Sequence, residues 1–318
     1  VGPTCGGLNR ELNLKLLNYA KKYGLKCWLH EPRINNSVAD WKVVIDSVVA
    51  DYANHPAMGG YFVGDEPSAS AFVKIGEFFA YLKEKDPRHL AYLNLLPNYA
   101  PPSMLGNPTY SEHIEQYIQQ VKPELISYDH YHFITDGSDR PGFFANLEDV
   151  RKSSVKHQIP FMVIILLIDH MNVYRYLSEA ELRWEVYNCL AYGSKGISYF
   201  TYWQPEPKPE WGTAVIAFDG VRTAHYDEVK RINTELKILG KTLMKLNSTG
   251  IFFTGEMPSD TVPPLDKTVI VEQVNPGNVT VGLFQDAKLQ NYILLVNRDY
   301  KSELNTNTIL AKPKLMVY

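Results

Sequence analysis

Five carboxylates stand at positions where this sequence can do chemistry: Glu31, Asp65, Glu66, Asp129 and Asp169. Each comes just past a short apolar run. The densest case is Gly59-Gly60-Tyr61-Phe62-Val63-Gly64-Asp65-Glu66-Pro67, where two glycines open an apolar and aromatic run that ends in two acids and a proline. Such a run reads as a parallel strand covered on both faces, and proline cannot continue it. The acids therefore fall at the strand's C-terminal end. Cleavage of a glycosidic bond needs a carboxylic acid that protonates the leaving oxygen and a second carboxylate that acts as nucleophile or base.

Glu66 is the candidate proton donor, with helix capping or a salt bridge as the structural alternative. Asp129 is the candidate second carboxylate, or else an acceptor for a substrate hydroxyl. Glu31 and Asp65 can bind substrate or tune Glu66, since a neighbouring negative charge keeps an acid protonated. For Glu31 a structural ion pair is the rival reading. Asp169 suits a loop or helix cap. Asn94, Tyr128, His130, Tyr131, Tyr202 and Trp203 also follow apolar runs, and these are candidate substrate-binding residues, the rings as stacking platforms for sugars. Asp129, His130 and His132 invite a metal reading as well. Alternate strand residues face opposite sides and no third ligand with a defined spacing is evident, so no metal and no cofactor is expected.

The elements that must position these groups alternate regularly. Helical spacing predicts helices over residues 11–23, over 41–52 behind a Ser37 cap, over 69–85, near 111–121 and over 143–157. Another starts at the Ser178/Glu181 capping box, and a last one covers about 225–246. Between them lie strands ending near His30, Asp65, Leu95, Tyr128, Leu167 and Phe200. Six strand–helix repeats with polar groups always at the C-terminal end fit an eight-stranded (β/α)8 TIM barrel better than a doubly wound sheet. If the strand at Leu125 is the sixth, the Glu66 strand is the fourth and the barrel is N-terminally incomplete here. After Gly250 the pattern changes. Residues 254–267 read as a Pro-containing linker, and the strands expected over 268–274, 279–284 and 292–297 have no helices between them. The expected domains are a barrel over 1–250 and a small antiparallel β-domain over 251–318.

Composition narrows the partners. The 318 residues are 45% hydrophobic and 21% charged with a net charge of -3, which suits a globular protein with a large core and argues against nucleic acid as a partner. No apolar run is long enough for membrane insertion. Cys5, Cys27 and Cys189 form no metal or redox spacing. The oligomeric state is not encoded in any motif.

The run Gly60 to Pro67, Tyr128-Asp129-His130-Tyr131, the segment from Ala191 to Trp203 and Phe218-Asp219-Gly220 to Tyr226 together resemble the bacterial β/α-barrel glycoside hydrolases of the large glycosidase superfamily. The resemblance covers roughly residues 5–250. It implies a carbohydrate substrate, a secreted, periplasmic or cell-surface location, and Glu66 as general acid/base at the end of strand four. Two departures stand out. The superfamily usually carries Asn where this chain has Asp65, and its strand-seven nucleophile has no counterpart among Leu166, Leu167 and Ile168. A non-catalytic carbohydrate-binding barrel is the alternative that this second departure raises.

Overall fold

The computed structural model describes residues 2, 8–35, 39–206, 210–265, 268 and 270–311. The expected Ser37 cap and Cys5 lie outside these residues. The chain forms two compact units, residues 1–129 with 158–160, and residues 130–157 with 161–318.

The first unit is a four-stranded parallel sheet in the order β1 (Cys27–His30), β2 (Met58–Asp65), β3 (Leu90–Leu95) and β4 (Ile126–Asp129). Helices α1 (Arg10–Lys22), α2 (Trp41–Tyr52), α3 (Phe72–Lys85), the single turn α4 (Pro102–Leu105) and α5 (Tyr110–Val121) connect the strands. Leu17, Ala20, Ile45, Val48, Tyr52, Phe78 and Leu82 from α1, α2 and α3 bury against Cys27, Leu29, Met58 and Tyr61 of the sheet. The apolar stripes expected from helical spacing on α2 and α3 are therefore the buried faces, whereas on α1 Leu12 stays exposed. Thr109 and Glu112 form a reciprocal capping box that starts α5, with the Thr109 N–H donating to Glu112 at 3.0 Å and the Glu112 N–H to Thr109 at 3.2 Å.

In the second unit α6 (Phe143–His157), β5 (Phe161–Leu166), α7 (Glu179–Ala191), β6 (Gly196–Phe200) and α8 (Ala224–Leu243) continue the alternation, and β5 pairs with β6 in parallel. The predicted capping box opens α7, Ser178 N–H donating to Glu181 at 2.8 Å. The antiparallel part is larger than expected. It has a three-stranded sheet of β7 (Asn247–Phe253), β9 (Val279–Gln285) and β10 (Asn291–Asn297), and a two-stranded one of β8 (Val271–Asn275) and β11 (Asn307–Leu310). Strand β7 crosses residue 250, the expected boundary between the barrel and the β-domain, and β11 carries no strong alternation.

These strands pack on α7 rather than standing apart. Thr280 donates to Asn188 at 2.7 Å, Trp184 Nε1 donates to the Arg298 carbonyl at 2.9 Å, and a Cβ added to Gly282 would lie 2.4 Å from the Ala191 carbonyl oxygen. The fold class is that of a partial (β/α)-barrel, with six parallel strands among the described residues, followed by antiparallel β-structure. No helix of the described residues is long and apolar enough to cross a membrane.

Candidate active site

The strand ends of the first unit gather the acids. On β1, β2 and β3 the paired residues Trp28, Gly60 and Leu90, then His30, Phe62 and Tyr92, run side by side. Residues paired across parallel strands point to the same face, and alternation places Tyr61 and Val63 on the other one. Tyr61 confirms this by donating to Asp86 at 2.7 Å, at the C-terminal end of α3. Strict alternation would put Asp65 on that helix-covered face too. A register shift between Phe62 and Gly64 prevents it. Phe62 pairs with Tyr92 and Gly64 with Leu93, so Val63 is the extra residue and Asp65 lands opposite Asn94, on the face of Phe62 and Tyr92.

Glu66 follows with φ 46°, a left-handed conformation that is uncommon for a residue with a side chain and unfavourable before proline. Its N–H donates to the Asn94 carbonyl at 2.8 Å, which holds the turn. On β4, Ser127 pairs with Asn94 and Asp129 lies two residues on, so both share that face. The Ser127 hydroxyl donates to Asn94 Oδ1 at 2.9 Å, and Asn94 Nδ2 donates to Asp129 Oδ1 at 2.6 Å. All three side chains are buried.

Three carboxyls thus act on one another. Asp129, 4% exposed, is raised well above the usual carboxylate range, first by burial and then by the charges of Glu66 and Asp65, while the Asn94 hydrogen bond pulls it down. Glu66 reaches solvent but is raised by the partly dry wall around it and by Asp65. Asp65 is raised by the same partial burial, which outweighs the Asn94 hydrogen bond and the charge of His30. Like charges in one group oppose one another's ionisation, so these acids keep their protons to higher pH than isolated ones.

The second unit has its own aromatic groups. Tyr131 packs edge-on to Tyr174 at 5.4 Å and lies 6.3 Å from Phe200 in a stacked orientation. His170 stacks on Trp211 at 4.2 Å, and Phe200 is tilted 5.8 Å from the same indole. Asp169 ties this loop down, accepting from the Thr213 N–H at 2.6 Å. Tyr202 and Trp203 are exposed, at 62% and 57%, and Trp203 Nε1 donates to the Phe218 carbonyl at 3.3 Å.

Comparison with known proteins identifies no matching family model and no matching curated protein. Solved structures do match. The chain aligns with a β-galactosidase from the psychrophilic Marinomonas ef1 at a TM-score of 0.55 and 12% identity, over 78% of this chain and 56% of that one. A β-galactosidase from the Antarctic haloarchaeon Halorubrum lacusprofundi matches at 0.50 and 12%, over 73% and 51%. A GH42 β-galactosidase from G. stearothermophilus matches at 0.50 and 14%, over 76% and 50%. The fold is that of the TIM-barrel glycosidases. The chain spans about half the length of these structures.

Within this TIM-barrel frame, Asp65, Glu66, Asn94 and Asp129 come together as one group. Three other sequence candidates are engaged elsewhere. Glu31 is buried and engaged, its carboxylate accepting from Arg33 Nη2 at 2.9 Å, the Arg33 N–H at 3.2 Å and the Tyr52 hydroxyl at 2.7 Å. Burial would raise this acid, but those hydrogen bonds and the Arg33 charge outweigh it and hold it low. Tyr128 is wholly buried and alternates with Ser127 and Asp129, so its ring is on the opposite face. His130 is buried against Phe143, Nδ1 lies 3.1 Å from Asn146 Oδ1, and burial pushes its pKa down to about 3, so it is neutral. His132 stacks on Trp184 at 4.9 Å. Among the described residues no group of three His, Cys, Asp or Glu is placed to hold a metal.

Sequence reasoning missed Ser127, although its spacing from Asp129 on an apolar strand was the available signal. Trp211 and His170 sit in loops, where no periodicity marks them.

Proposed function

We propose that the chain is a glycoside hydrolase that cleaves O-glycosidic bonds of an oligosaccharide or polysaccharide, with Glu66 as proton donor and Asp129 as the opposing carboxylate. The observation that carries this reading is the asymmetric hydrogen bonding of the acid cluster. Asn94 donates to Asp129 and pulls its raised pKa back down, whereas the influences on Glu66, partial burial and the Asp65 charge, both favour its protonated form. Asp129 ionises against its burial only while Glu66 keeps its proton. That is the charge state an acid and a nucleophile or base need.

In the first step the Glu66 proton passes to the leaving oxygen and the glycosidic C–O bond breaks. Asp129, or a water it deprotonates, supplies the electron pair to the anomeric carbon. The net negative charge of Asp65 and Asp129 stabilises the positive charge that develops on the sugar ring. The proposed chemistry uses no cofactor. A glycan substrate also favours a secreted, periplasmic or surface location.

Three of the matching structures are β-galactosidases, so aryl β-galactosides head the panel of aryl glycosides to be tried. Glu66→Gln should lower kcat by about 10²-fold or more, with glycan binding retained. Full turnover in Glu66→Gln would remove Glu66 from the mechanism. The burial of Asp129 favours a second reading, a carbohydrate-binding barrel. In that case the wild type binds glycan saturably and no aryl glycoside is turned over.

A further inference from the structure

Asn94 has one acceptor and one donor end, and the chemistry of the site depends on which end faces Asp129. The two ends are equal in shape, so only hydrogen-bonding partners can choose between them. Asn94 and Ser127 are paired residues on neighbouring parallel strands, both buried, and Ser127 Oγ is 2.9 Å from Asn94 Oδ1. We propose that Ser127 and Asn94 are positioning residues: the Ser127 hydroxyl donates to Asn94 Oδ1, which holds the amide N–H on the Asp129 carboxylate and favours the anion there. The inference rests on the hydrolase reading for its catalytic meaning, and on geometry alone for its effect on Asp129.

The flipped amide shows why the lock matters. With Oδ1 and Nδ2 exchanged, two oxygens would meet at 2.6 Å, a contact that is stable only when Asp129 carries a proton. Ser127 would then have to accept rather than donate. Without the hydroxyl, the amide loses one of the contacts that hold it against Asp129, and the protonated form of Asp129 gains ground. Ser127 is fully buried and acts only through Asn94.

The test compares wild type, Ser127→Ala, Ser127→Cys and Asn94→Ala. In pH–kcat/KM profiles on the aryl glycoside the wild type prefers, Ser127→Ala should move the acidic limb up by roughly 0.5–1 pH unit. The near-isosteric cysteine, a weak donor, should fall between wild type and alanine. Asn94→Ala should move the limb at least as far as Ser127→Ala. A uniform loss of rate with an unmoved acidic limb would overturn the proposal. The substrate-free measurement is a 13C titration of the Asp129 carboxyl, assigned with Asp129→Asn. It should show a higher midpoint in Ser127→Ala, and an equal midpoint overturns the positioning role. If the wild type turns over no aryl glycoside, the hydrolase reading fails by itself and the titration still decides this one.

Discussion

At the residue scale, Asp129 and Glu31 show the two opposite outcomes for a buried carboxylate. Glu31 has a guanidinium and a phenol on its oxygens, whereas Asp129 has one amide and two acidic neighbours. A carboxyl whose folded pKa lies above its unfolded value binds more protons in the folded state. Its contribution to stability is present at low pH and is lost as pH rises from the unfolded value through the folded one. Asp129→Asn keeps an acceptor for Asn94 and removes that loss. Its Tm should exceed that of the wild type at pH 7 by on the order of a few degrees, and the difference should shrink towards pH 4. Thermal melts across that range would detect it, and an equal pH dependence in both proteins would contradict the assignment. Glu66 adds strain of a different kind, a left-handed φ directly before proline. Such conformations cost about 1–3 kcal/mol and are kept where the surrounding structure holds them. Here the Asn94 carbonyl does so.

At the element scale, β2 carries the decisive irregularity. Its extra residue, Val63, reverses the alternation just before the acids and brings Asp65 to the face of Asn94. The glycines of the strand have separate jobs. A Cβ at Gly60 would lie 2.3 Å from the Leu90 carbonyl oxygen and 2.8 Å from the Trp28 ring, whereas at Gly64 nothing stands within 4 Å. Gly60→Ala should therefore destabilise the protein by about 1–3 kcal/mol through overpacking, and Gly64→Ala should stay within about 0.5 kcal/mol. Chemical denaturation of the two variants measures both. Equal stabilities would mean that β2 and β3 can move apart without loss.

At the scale of the whole molecule, the antiparallel strands belong to the fold of the second unit. Phe253 of β7 packs edge-on to Phe144 of α6 at 5.1 Å, and Gly282 lies against the end of α7. A chain ended at residue 250 would expose those faces and leave Asn188 without Thr280. It should aggregate or lose its cooperative transition, as seen by size exclusion and circular dichroism. A stable, monomeric truncation would instead restore the picture of an independent C-terminal domain.

The sequence by itself determined the alternation of strands and helices, because periodicity and caps are local. Ser178 with Glu181 marks a helix start within four residues, and the run before Asp65 declares a buried strand without reference to anything distant. It also placed the acids at strand ends, since proline and polar residues terminate a strand wherever it packs. What only the tertiary structure decided is which side chains face one another. The shift at Val63 depends on how β2 pairs with β3, and strict alternation would have turned Asp65 away from the site. Glu31 and Asp129 look alike in sequence, each an acid after an apolar run. Arg33 and Tyr52 claim the first, and Asn94, Ser127 and Glu66 surround the second, because contacts between strands are made through space and leave no local mark.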